Sequence, residues 1–538
     1  MPQMDADPGL RASAIYGKPG ENVQTITDYG LDERSDLMET SLAPLFRYHV
    51  TDPGAFVRTE SLGGQALIVG DNAGAVAVMG NGRLDGRRPY TLLGSLRPQQ
   101  ATTLLTRNGR LVLTDTNRRI NANDRNLSGS GPLLTAHAPL EATRALFTVA
   151  DQTVARYGVA RDVQVSSSGS IFGPQANGRI GLAFDHDRNS SWTFGDFGTA
   201  VGNELRVDLG IDRPIPKITL DVQNSAPVRI TRAVVSADRT VRTVDLRLGS
   251  GVATFPSGFK ARHVTVAVTG VKGSGSNQVG FDEIAIGKLD LAEYAEMPQT
   301  LNRMMLENAD FARAVTKRPL DIVINRAYGM EYETRPVRTW DQVVPRTYRV
   351  SGEIQPLTRD RRREIRRHPR QCRSVGFLDG RRVTARLILG ARNEAVAFKG
   401  CSMVSIDAGP HRFEADAQYY LDQLFFADQL EPSWAPTEQV SRVLNSVAGQ
   451  TMVQATIGAS DIPSTLVLSE SYAPGWTATV DGKSLGPAVP ADGFALSWWL
   501  PPGGERHVVI KYKPQRAYVA SMVFSGVSLL FMVSAALL

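Results

Sequence analysis

The feature that most constrains this chain is a run of 21 residues at its carboxyl end without a charged side chain. The run extends from Tyr518 to Leu538 (YVASMVFSGVSLLFMVSAALL), and Lys511, Lys513 and Arg516 stand directly before it. About 20 apolar residues in a helix are enough to cross a bilayer. Basic residues beside such a run are typical of a membrane boundary. The sequence therefore predicts one transmembrane helix over residues 517–538.

The residues before this run have the composition of globular domains with cores. Hydrophobic residues make up 42% of the 538-residue chain, and its 49 glycines and 30 prolines fall short of the disordered range. Strand-like alternation is common and long amphipathic helices are scarce, which favours a mainly β architecture. The net charge of +6 is modest and no stripe combines basic with aromatic residues, so we expect no nucleic-acid partner.

Cys372 and Cys401 are the only two cysteines in the sequence. In a chain of exported character, two thiols without a competitor favour a disulfide. The bond would close a loop of about thirty residues, which is worth roughly 3 kcal/mol in the chain-entropy description. Two buried free thiols are the alternative.

Residues 181–210 (GLAFDHDRNSSWTFGDFGTAVGNELRVDLG) join an acidic, hydroxyl-rich loop to an alternating strand at Leu205–Leu209. The spacing resembles the signature of discoidin-type (coagulation factor 5/8 C-terminal) modules and of related galactose-binding-like carbohydrate-binding modules. His186 stands where that family usually has Gly, and Arg188 where it usually has Pro. The matching positions are Phe184, Asp185, Asp187, Ser190, Trp192 and Val207 to Gly210.

The resemblance implies two kinds of site. Hard oxygen ligands in the first loop and on the last strand hold a structural calcium ion in such modules, which makes Asp187, Ser190 and Glu283 the candidate ligands. Loops at one end contact sugars in such modules. The alternative is that Asp185 and Asp187 only satisfy the turn backbone and that Trp192 is a core residue. The candidate sugar contacts are Trp192, Phe194, Asp196 and Phe197.

A small parallel α/β sheet is predicted before this module. Residues 70–74 and 114–118 would then lie at carboxyl ends of strands, where ligands bind in open α/β sheets. Neither a Walker nor a GxGxxG pattern is present, so structural turns are favoured over nucleotide binding. The predicted elements are strands at 46–50, 66–71, 90–93 and 110–115, with helices at 75–84 and 97–107.

Two further β-sandwiches are predicted after the module. The first resembles a jelly-roll carbohydrate-binding module and contains both cysteines. It includes seven arginines within residues 359–370, which are either a solvated loop or a contact for anionic phospholipid or a lipid-linked sugar phosphate. In the second sandwich, Tyr472 and Trp476 are candidate sugar contacts, Trp498 and Trp499 add aromatic surface, and core packing is the alternative.

The predicted fold class is mainly β, with several β-sandwiches of jelly-roll and galactose-binding-like type, a small α/β domain and one transmembrane helix. The predicted units are a lead-in (1–43), the α/β domain with its connection (44–157), the discoidin-like module (158–290), a helical linker (291–318, with a helix over 291–316 broken near Pro298), the disulfide-bearing sandwich (319–430), a membrane-proximal sandwich (436–513) and the transmembrane helix (517–538).

This order of units resembles the carboxy-terminal exoplasmic region of the actinobacterial (mycobacterial) α-(1→3)-arabinofuranosyltransferases of the D type. The family implies a glycosyltransferase of cell-wall arabinan (arabinogalactan or lipoarabinomannan) that uses decaprenyl-phosphate arabinofuranose as donor. Its catalytic acid lies in an amino-terminal membrane domain that this sequence does not contain, so no catalytic residue is assigned. We expect a glycan-binding region that positions the acceptor, with arabinan, the membrane and a separate multi-span catalytic domain as partners.

Two other functions stay open from the sequence. One is a non-enzymatic, membrane-tethered wall-binding or scaffolding protein. The other is a glycosidase, which would need two carboxylates about 5 to 10 Å apart in a sugar-sized cleft. No HExxH motif is present, so binding is the favoured interpretation.

The side of the membrane follows from conflicting signals. The basic residues before the run would place the domains in the cytoplasm, while the predicted disulfide and the sugar-binding resemblance place them outside; large domains override the charge tendency. Residues Met1–Pro8 lack the basic and apolar segments of a signal peptide. We therefore expect exoplasmic (periplasmic) domains at the plasma membrane, in a carboxy-terminal part of a larger protein.

Overall fold

The fold was determined from a computed structural model. It describes residues 57–61, 65–71, 74–75, 78, 90–106, 109–116, 133, 135, 149–169, 176–194, 200–223, 228–273, 279–325, 337–355, 357–391, 395–429, 442–449, 451–470, 472–473, 475–492 and 495–537. The lead-in and the strand predicted at 46–50 lie outside these residues, as does most of the helix predicted at 75–84.

The described residues are mainly strands. In chain order these are β1 (Val57–Ser61), β2 (Ala66–Val69), β3 (Tyr90–Leu92), β4 (Arg110–Thr114), β5 (Val154–Tyr157), β6 (Asp162–Val165), β7 (Trp192–Thr193), β8 (Glu204–Pro214), β9 (Lys217–Val222), β10 (Arg229–Ala237), β11 (Thr240–Asp245), β12 (Ser250–Thr254), β13 (Lys260–Lys272), β14 (Gly280–Ile286), β15 (Glu293–Glu296), β16 (Leu320–Asn325), β17 (Val337–Gln342), β18 (Arg346–Ile354), β19 (Arg373–Leu378), β20 (Arg381–Ile388), β21 (Val396–Ile406), β22 (Gly409–Ala415), β23 (Leu421–Asp428), β24 (Val443–Ala448), β25 (Met452–Ile457), β26 (Ser464–Leu468), β27 (Trp476–Val480), β28 (Lys483–Pro487), β29 (Val489–Ala491), β30 (Ala495–Leu500) and β31 (Arg506–Tyr512). The α-helices are α1 (Pro98–Thr106), α2 (Thr300–Glu307), α3 (Ala309–Thr316), α4 (Arg359–Arg367) and α5 (Pro514–Leu537).

Residues 158–290 form a two-sheet β-sandwich. A five-stranded sheet (β11-β10-β13-β8-β6) faces a four-stranded sheet (β12-β9-β14-β7) across one hydrophobic core. The first half of β8 follows the predicted alternation, since Leu205, Val207 and Leu209 are buried and the residues between them are not. A strand with one buried and one solvated face has this pattern in antiparallel sheets.

The predicted α/β domain and disulfide-bearing sandwich share one sheet of thirteen strands. Its order is β3-β2-β4-β16-β23-β18-β21-β20-β19-β22-β17-β15-β5. As predicted, β2, β3 and β4 are parallel, and α1 lies within the helix predicted at 97–107. The parallel part continues through β16, which pairs with β4 on one side and with β23 on the other. The units 44–157 and 319–430 are therefore joined by hydrogen bonds and by a common core.

The sandwich of residues 158–290 is inserted into this large sheet. Its flanking strands, β5 and β15, pair with each other in antiparallel register, with Tyr157 opposite Glu293. The chain thus leaves the sheet after β5, builds the sandwich and returns beside the strand that it left. We call residues 158–290 the inserted module and the thirteen-stranded unit the central sheet.

The predicted linker helix is divided differently from the prediction. Residues 293–296 form strand β15, Pro298 lies before the first helix, and the break between α2 and α3 falls at Asn308. The Asn308 side chain accepts a hydrogen bond from the backbone N–H of Phe311 at 2.8 Å. Asparagine is a favoured helix N-cap, which explains why a new helix begins there.

The membrane-proximal sandwich extends beyond residues 436–513. Its two sheets are β24-β25-β31-β27-β28 and β1-β26-β30-β29, so strand β1 near the start of the chain belongs to it. Val57 opposes Leu468 in this pairing. The β27–β28 hairpin turns through Asp481-Gly482, both with positive φ, as two-residue hairpin turns require.

Two predictions about the chain's covalent and membrane features are confirmed. Cys372 and Cys401 form a disulfide with a Cα–Cα distance of 6.2 Å. Helix α5 contains the apolar run, and it is the one helix in the described part of the chain that is long and apolar enough to cross a membrane.

Candidate functional site

The loop at residues 185–190 is held by its own side chains. Ser190 Oγ donates to Asp185 Oδ2 at 2.8 Å, and Asp187 Oδ1 accepts from the backbone N–H of Asn189 at 2.9 Å. Aspartate and serine favour such local bonds in turns. Asp185 and Asp187 therefore form hydrogen bonds within the turn, which is one of the two roles that the sequence left open for them.

His186 connects this loop to the last strand of the inserted module. It has a φ of +61°, a left-handed conformation that favours glycine, the residue usual in the family at this position. Its backbone N–H donates to Glu283 Oε2 at 3.1 Å, and its Nδ1 lies 3.4 Å from Glu283 Oε1. The loop thus keeps the glycine-like conformation, and the histidine side chain adds a contact with the acid of β14.

The two carboxyl groups at this contact, Glu283 and Asp185, both have raised pKa values. Burial raises the pKa of Glu283, and Asp185 adds to the rise while His186 opposes it. Burial also raises the pKa of Asp185, partly offset by its bonds from Asp187 and Ser190. Oxygen donors of this kind suit calcium, so the residues fit that ion chemically. Among the described residues no cluster of three or more His, Cys, Asp or Glu side chains has a metal-binding arrangement.

The two predicted sugar-contact aromatics of the inserted module that the structure describes are core residues. Trp192 and Phe194 have no exposed surface, and their rings lie 4.8 Å apart with Phe281 stacked on Trp192 at 5.8 Å. The Trp192 Nε1 donates to the Ser167 carbonyl at 3.0 Å. Rings in this position cannot stack on a sugar, so sugar contact by these two rings is not possible in this fold. Asp196 and Phe197 lie outside the described residues.

The two candidates in the membrane-proximal sandwich differ in exposure. Trp476 is 7% exposed and packs against Tyr512 with ring centroids 5.4 Å apart. Tyr472 is half-buried at the edge of the same core. Trp476 is therefore a packing residue, while Tyr472 retains a partly open ring.

A cleft of about 370 Å³ lies where helix α1 of the central sheet meets the membrane-proximal sandwich. The two units are also tied together there, because Tyr90 and Asp492 exchange hydrogen bonds. Ligand sites are common at such junctions. The cleft is lined by Arg97, Gln99, Gln100, Thr103, Leu485, Pro487, Val489, Trp498 and Trp499.

The cleft combines aromatic rings with hydrogen-bonding groups. Trp499 is half-buried and Trp498 is 1% exposed. The Trp498 Nε1 has no hydrogen-bond partner among the described residues, although a buried indole N–H usually has one. Arg97 and Gln100 supply a guanidinium and an amide on the opposite wall. From the sequence, only Trp498 and Trp499 of this lining were identified as a possible binding surface. Residues 97–103 are distant in the sequence and lie beside them only in the tertiary structure.

Buried polar contacts lie at the carboxyl end of β4, where the sequence left a ligand site or a structural turn open. Asp115, directly after β4, accepts from Arg338 Nε at 2.8 Å and from the Asn325 backbone N–H at 3.0 Å, and all three residues are buried. Thr116 and Thr153 bond each other's backbone N–H groups beside it. This cluster fastens the far end of the central sheet onto its parallel part, so the described residues of this edge make structural contacts, the role that the sequence favoured.

The described residues belong to a class of protein that combines several β-sandwiches, a mixed sheet and a long apolar helix that could cross a membrane. Its fold is similar to that of a solved mycobacterial enzyme. The cryo-EM structure of arabinofuranosyltransferase AftD from Mycobacteria matches 89% of this chain and 51% of its own, with a TM-score of 0.64 and 13% identity. A mutant form of that enzyme matches 89% and 53%, with a TM-score of 0.63 and 14% identity. The predicted resemblance is confirmed at the level of the fold.

The chain spans about half the length of these solved chains. CpGH89CBM32-5 from Clostridium perfringens, solved with GalNAc-β-1,3-galactose, matches 23% of this chain and 94% of its own at 20% identity, with a TM-score of 0.19. That likeness supports no assignment. No family model matches the sequence, and no curated protein does so.

Proposed function

We propose that this chain is the glycan-binding exoplasmic region of a membrane arabinofuranosyltransferase that builds cell-wall arabinan. The observation that carries the proposal is the extent of the fold likeness to AftD, which includes 89% of the chain. Agreement over several units in one arrangement supports a shared function more strongly than agreement over one sandwich, because each sandwich fold serves many functions. In this proposal the catalytic step and the decaprenyl-phosphate arabinofuranose donor belong to a multi-span membrane domain.

The cleft between α1 and the membrane-proximal sandwich is the acceptor site in this proposal. A volume of about 370 Å³ falls within the range of small-ligand sites. Sugars present apolar faces and hydroxyl rims, which suit the Trp499 ring and the groups of Arg97 and Gln100.

Calcium bound by Asp187, Ser190 and Glu283 is also part of the proposal. The ion would supply the positive charge that the raised pKa values of Asp185 and Glu283 call for. Its role would be structural, since it would tie the loop of residues 185–190 to strand β14. Chelation is then expected to lower the melting temperature of the inserted module, and calcium to restore it; a melting curve indifferent to both would remove the ion from the proposal.

Glycan binding by the full chain in detergent micelles tests the acceptor site. Fragments of arabinan, galactan and mannan are compared by isothermal titration, for the wild type, Trp499→Ala and Tyr420→Ala. Tyr420 is 54% exposed and lies far from the cleft residues in sequence, so it is the control for loss of a surface aromatic ring. Stacking on a ring is worth about 1 kcal/mol, so Trp499→Ala should weaken arabinan binding about fivefold.

Three results have different meanings. Selective arabinan binding that is lost in Trp499→Ala but retained in Tyr420→Ala supports both the function and the site. Arabinan binding that Trp499→Ala does not change rejects the cleft and leaves the function. Equal binding to all three glycans, or to none, rejects the function.

A further inference from the structure

Helix α4 presents an arginine-rich face to solvent. The sequence left residues 359–370 as a solvated loop or an anion contact, and the structure has a helix over Arg359–Arg367. The Thr358 side chain caps its start, and Ile365 and Arg362 are its buried residues. The buried Ile365 belongs to the core of the central sheet, so the helix is fixed with its other arginines outward.

Positive charge is concentrated around this helix. Residues 359–399 contain thirteen arginines and lysines against four acids, a net charge of +9, whereas the whole chain carries +6. The remainder of the chain is therefore net negative. This asymmetry is a property of one surface region rather than of the protein's overall composition.

Several of these cations have no counter-ion among the residues that the structure describes. Arg361 and Arg363 pair with Glu364 and Asp360 on the helix itself. No ion pair or hydrogen bond is formed, within the described residues, by the exposed side chains of Arg359, Arg366, Arg367 and Arg370.

A second observation comes from the neighbouring strands. Arg386 on β20 and Lys399 on β21 are directly opposite each other, and both are exposed. Like charges in this position destabilise a sheet. The disulfide holds Cys372, just beyond α4, against Cys401, two residues after Lys399. The fold thus holds two groups of cations without described counter-ions near each other, although the like charges within each group repel one another.

We propose that this basic face, formed by Arg359, Arg366, Arg367, Arg370, Arg386 and Lys399, docks on the anionic phospholipid head groups of a membrane. Guanidinium groups match phosphate with paired hydrogen bonds. The outward side of α4 is charged and lacks large apolar residues, which favours contact with head groups rather than insertion. Helix α5 would hold the chain at a bilayer, so weak contacts would act at high effective concentration.

The test uses the full chain embedded through α5 in nanodiscs of neutral phosphatidylcholine and immobilised on a sensor. Vesicles of phosphatidylcholine, with or without 30% phosphatidylglycerol, are passed over it at low and high salt. The test variant is Arg359→Gln/Arg366→Gln/Arg367→Gln, and the control is Arg229→Gln/Arg232→Gln/Arg239→Gln, which removes three exposed arginines from the inserted module. A single-stranded oligonucleotide is the competing anion.

The proposal expects capture of anionic vesicles only, weakened at high salt, and reduced about tenfold or more by the α4 variant but less than twofold by the control. Arg386→Gln/Lys399→Gln, which leaves α4 unchanged, should also reduce capture. Equal capture of neutral vesicles, equal loss in the control, or oligonucleotide binding in preference to vesicles would each overturn it. None of these results bears on glycan binding.

Discussion

The inserted module and the central sheet are built in opposite ways. All strands of the inserted module come from one stretch of the chain, β6 to β14, around a core to which β5 and β15 of the central sheet add only Ala155, Tyr157 and Ala295. The central sheet draws on residues 66–114, 154–157 and 293–428, and its parallel part is completed only when β16 pairs with β4. The first unit is specified locally, whereas the second depends on contacts between distant segments. Their stabilities should therefore respond to different substitutions.

Trp192→Ala is the largest expected perturbation and should act on the inserted module alone. Truncating a fully buried large aromatic residue costs about 3–5 kcal/mol, because apolar contacts are lost and a cavity remains. Hydrogen exchange measured along the chain should show lost protection in β7, β9 and β14 and unchanged protection in β16 and β18. Equal loss in both units would mean that they unfold together, and the distinction between them would not hold.

Arg338→Met is the matching perturbation of the central sheet. It removes the Arg338 guanidinium from the buried Asp115 carboxylate, and breaking a buried pair costs about 3–5 kcal/mol. Denaturant unfolding should show the loss in the central sheet while the inserted module keeps its midpoint. The control is Arg156→Met, which removes a partly exposed pair with Glu296 and should cost under about 1 kcal/mol.

Replacing both cysteines by alanine tests a cross-link within the central sheet. The bond joins residues 29 apart, so its removal should cost roughly 3 kcal/mol through the freedom gained by the unfolded chain. Reducing agent should lower the melting temperature of the wild type and leave the double variant unchanged. An unaltered wild-type melting curve under reductant would contradict the stabilising role.

The smallest effect is the pH dependence of the loop at residues 185–190. The raised pKa of Glu283 means that the folded protein binds a proton more readily than the unfolded chain. This contribution is greatest below the unfolded pKa, near 4, and is lost as the pH rises through the folded value. Glu283→Gln should therefore stabilise the inserted module at pH 7 relative to pH 4, by no more than about 1 kcal/mol.

Bound calcium would reverse the expected effect of Glu283→Gln. With the ion bound, Glu283 would be a ligand, and Glu283→Gln should destabilise the module at pH 7 instead. Thermal melts of both forms, with calcium and with chelator, measure the change of sign. The same sign in both conditions would argue against Glu283 as a ligand.

The local unit was the more predictable from sequence. Its strand alternation, its loop and its extent follow from residues close together in the chain. The disulfide was also predictable, because only two cysteines exist. Even there, the sequence could not decide between core and binding roles for Trp192 and Phe194, since both uses favour the same residue type.

The remaining features depend on the tertiary fold. Strand β1 pairs with β26 about four hundred residues later, and no local signal marks that partner. The cleft is similar, because Gln100 and Trp499 come from different units. Residues 359–367 had sequence signals for helix α4, but the run of arginines favoured the interpretation as a solvated loop. Thr358 is a good N-cap, Asp360 suits the first turn, and arginine is a good helix former.

The pairing of β5 with β15 has a consequence for how such a protein can change over time. Because the chain returns beside its point of departure, the two ends of the inserted module are only one strand spacing apart. A short link between Tyr157 and Glu293 would close that gap. The path of the central sheet therefore does not depend on what the module contains, and a different sandwich could be placed at this point without rerouting the rest of the chain.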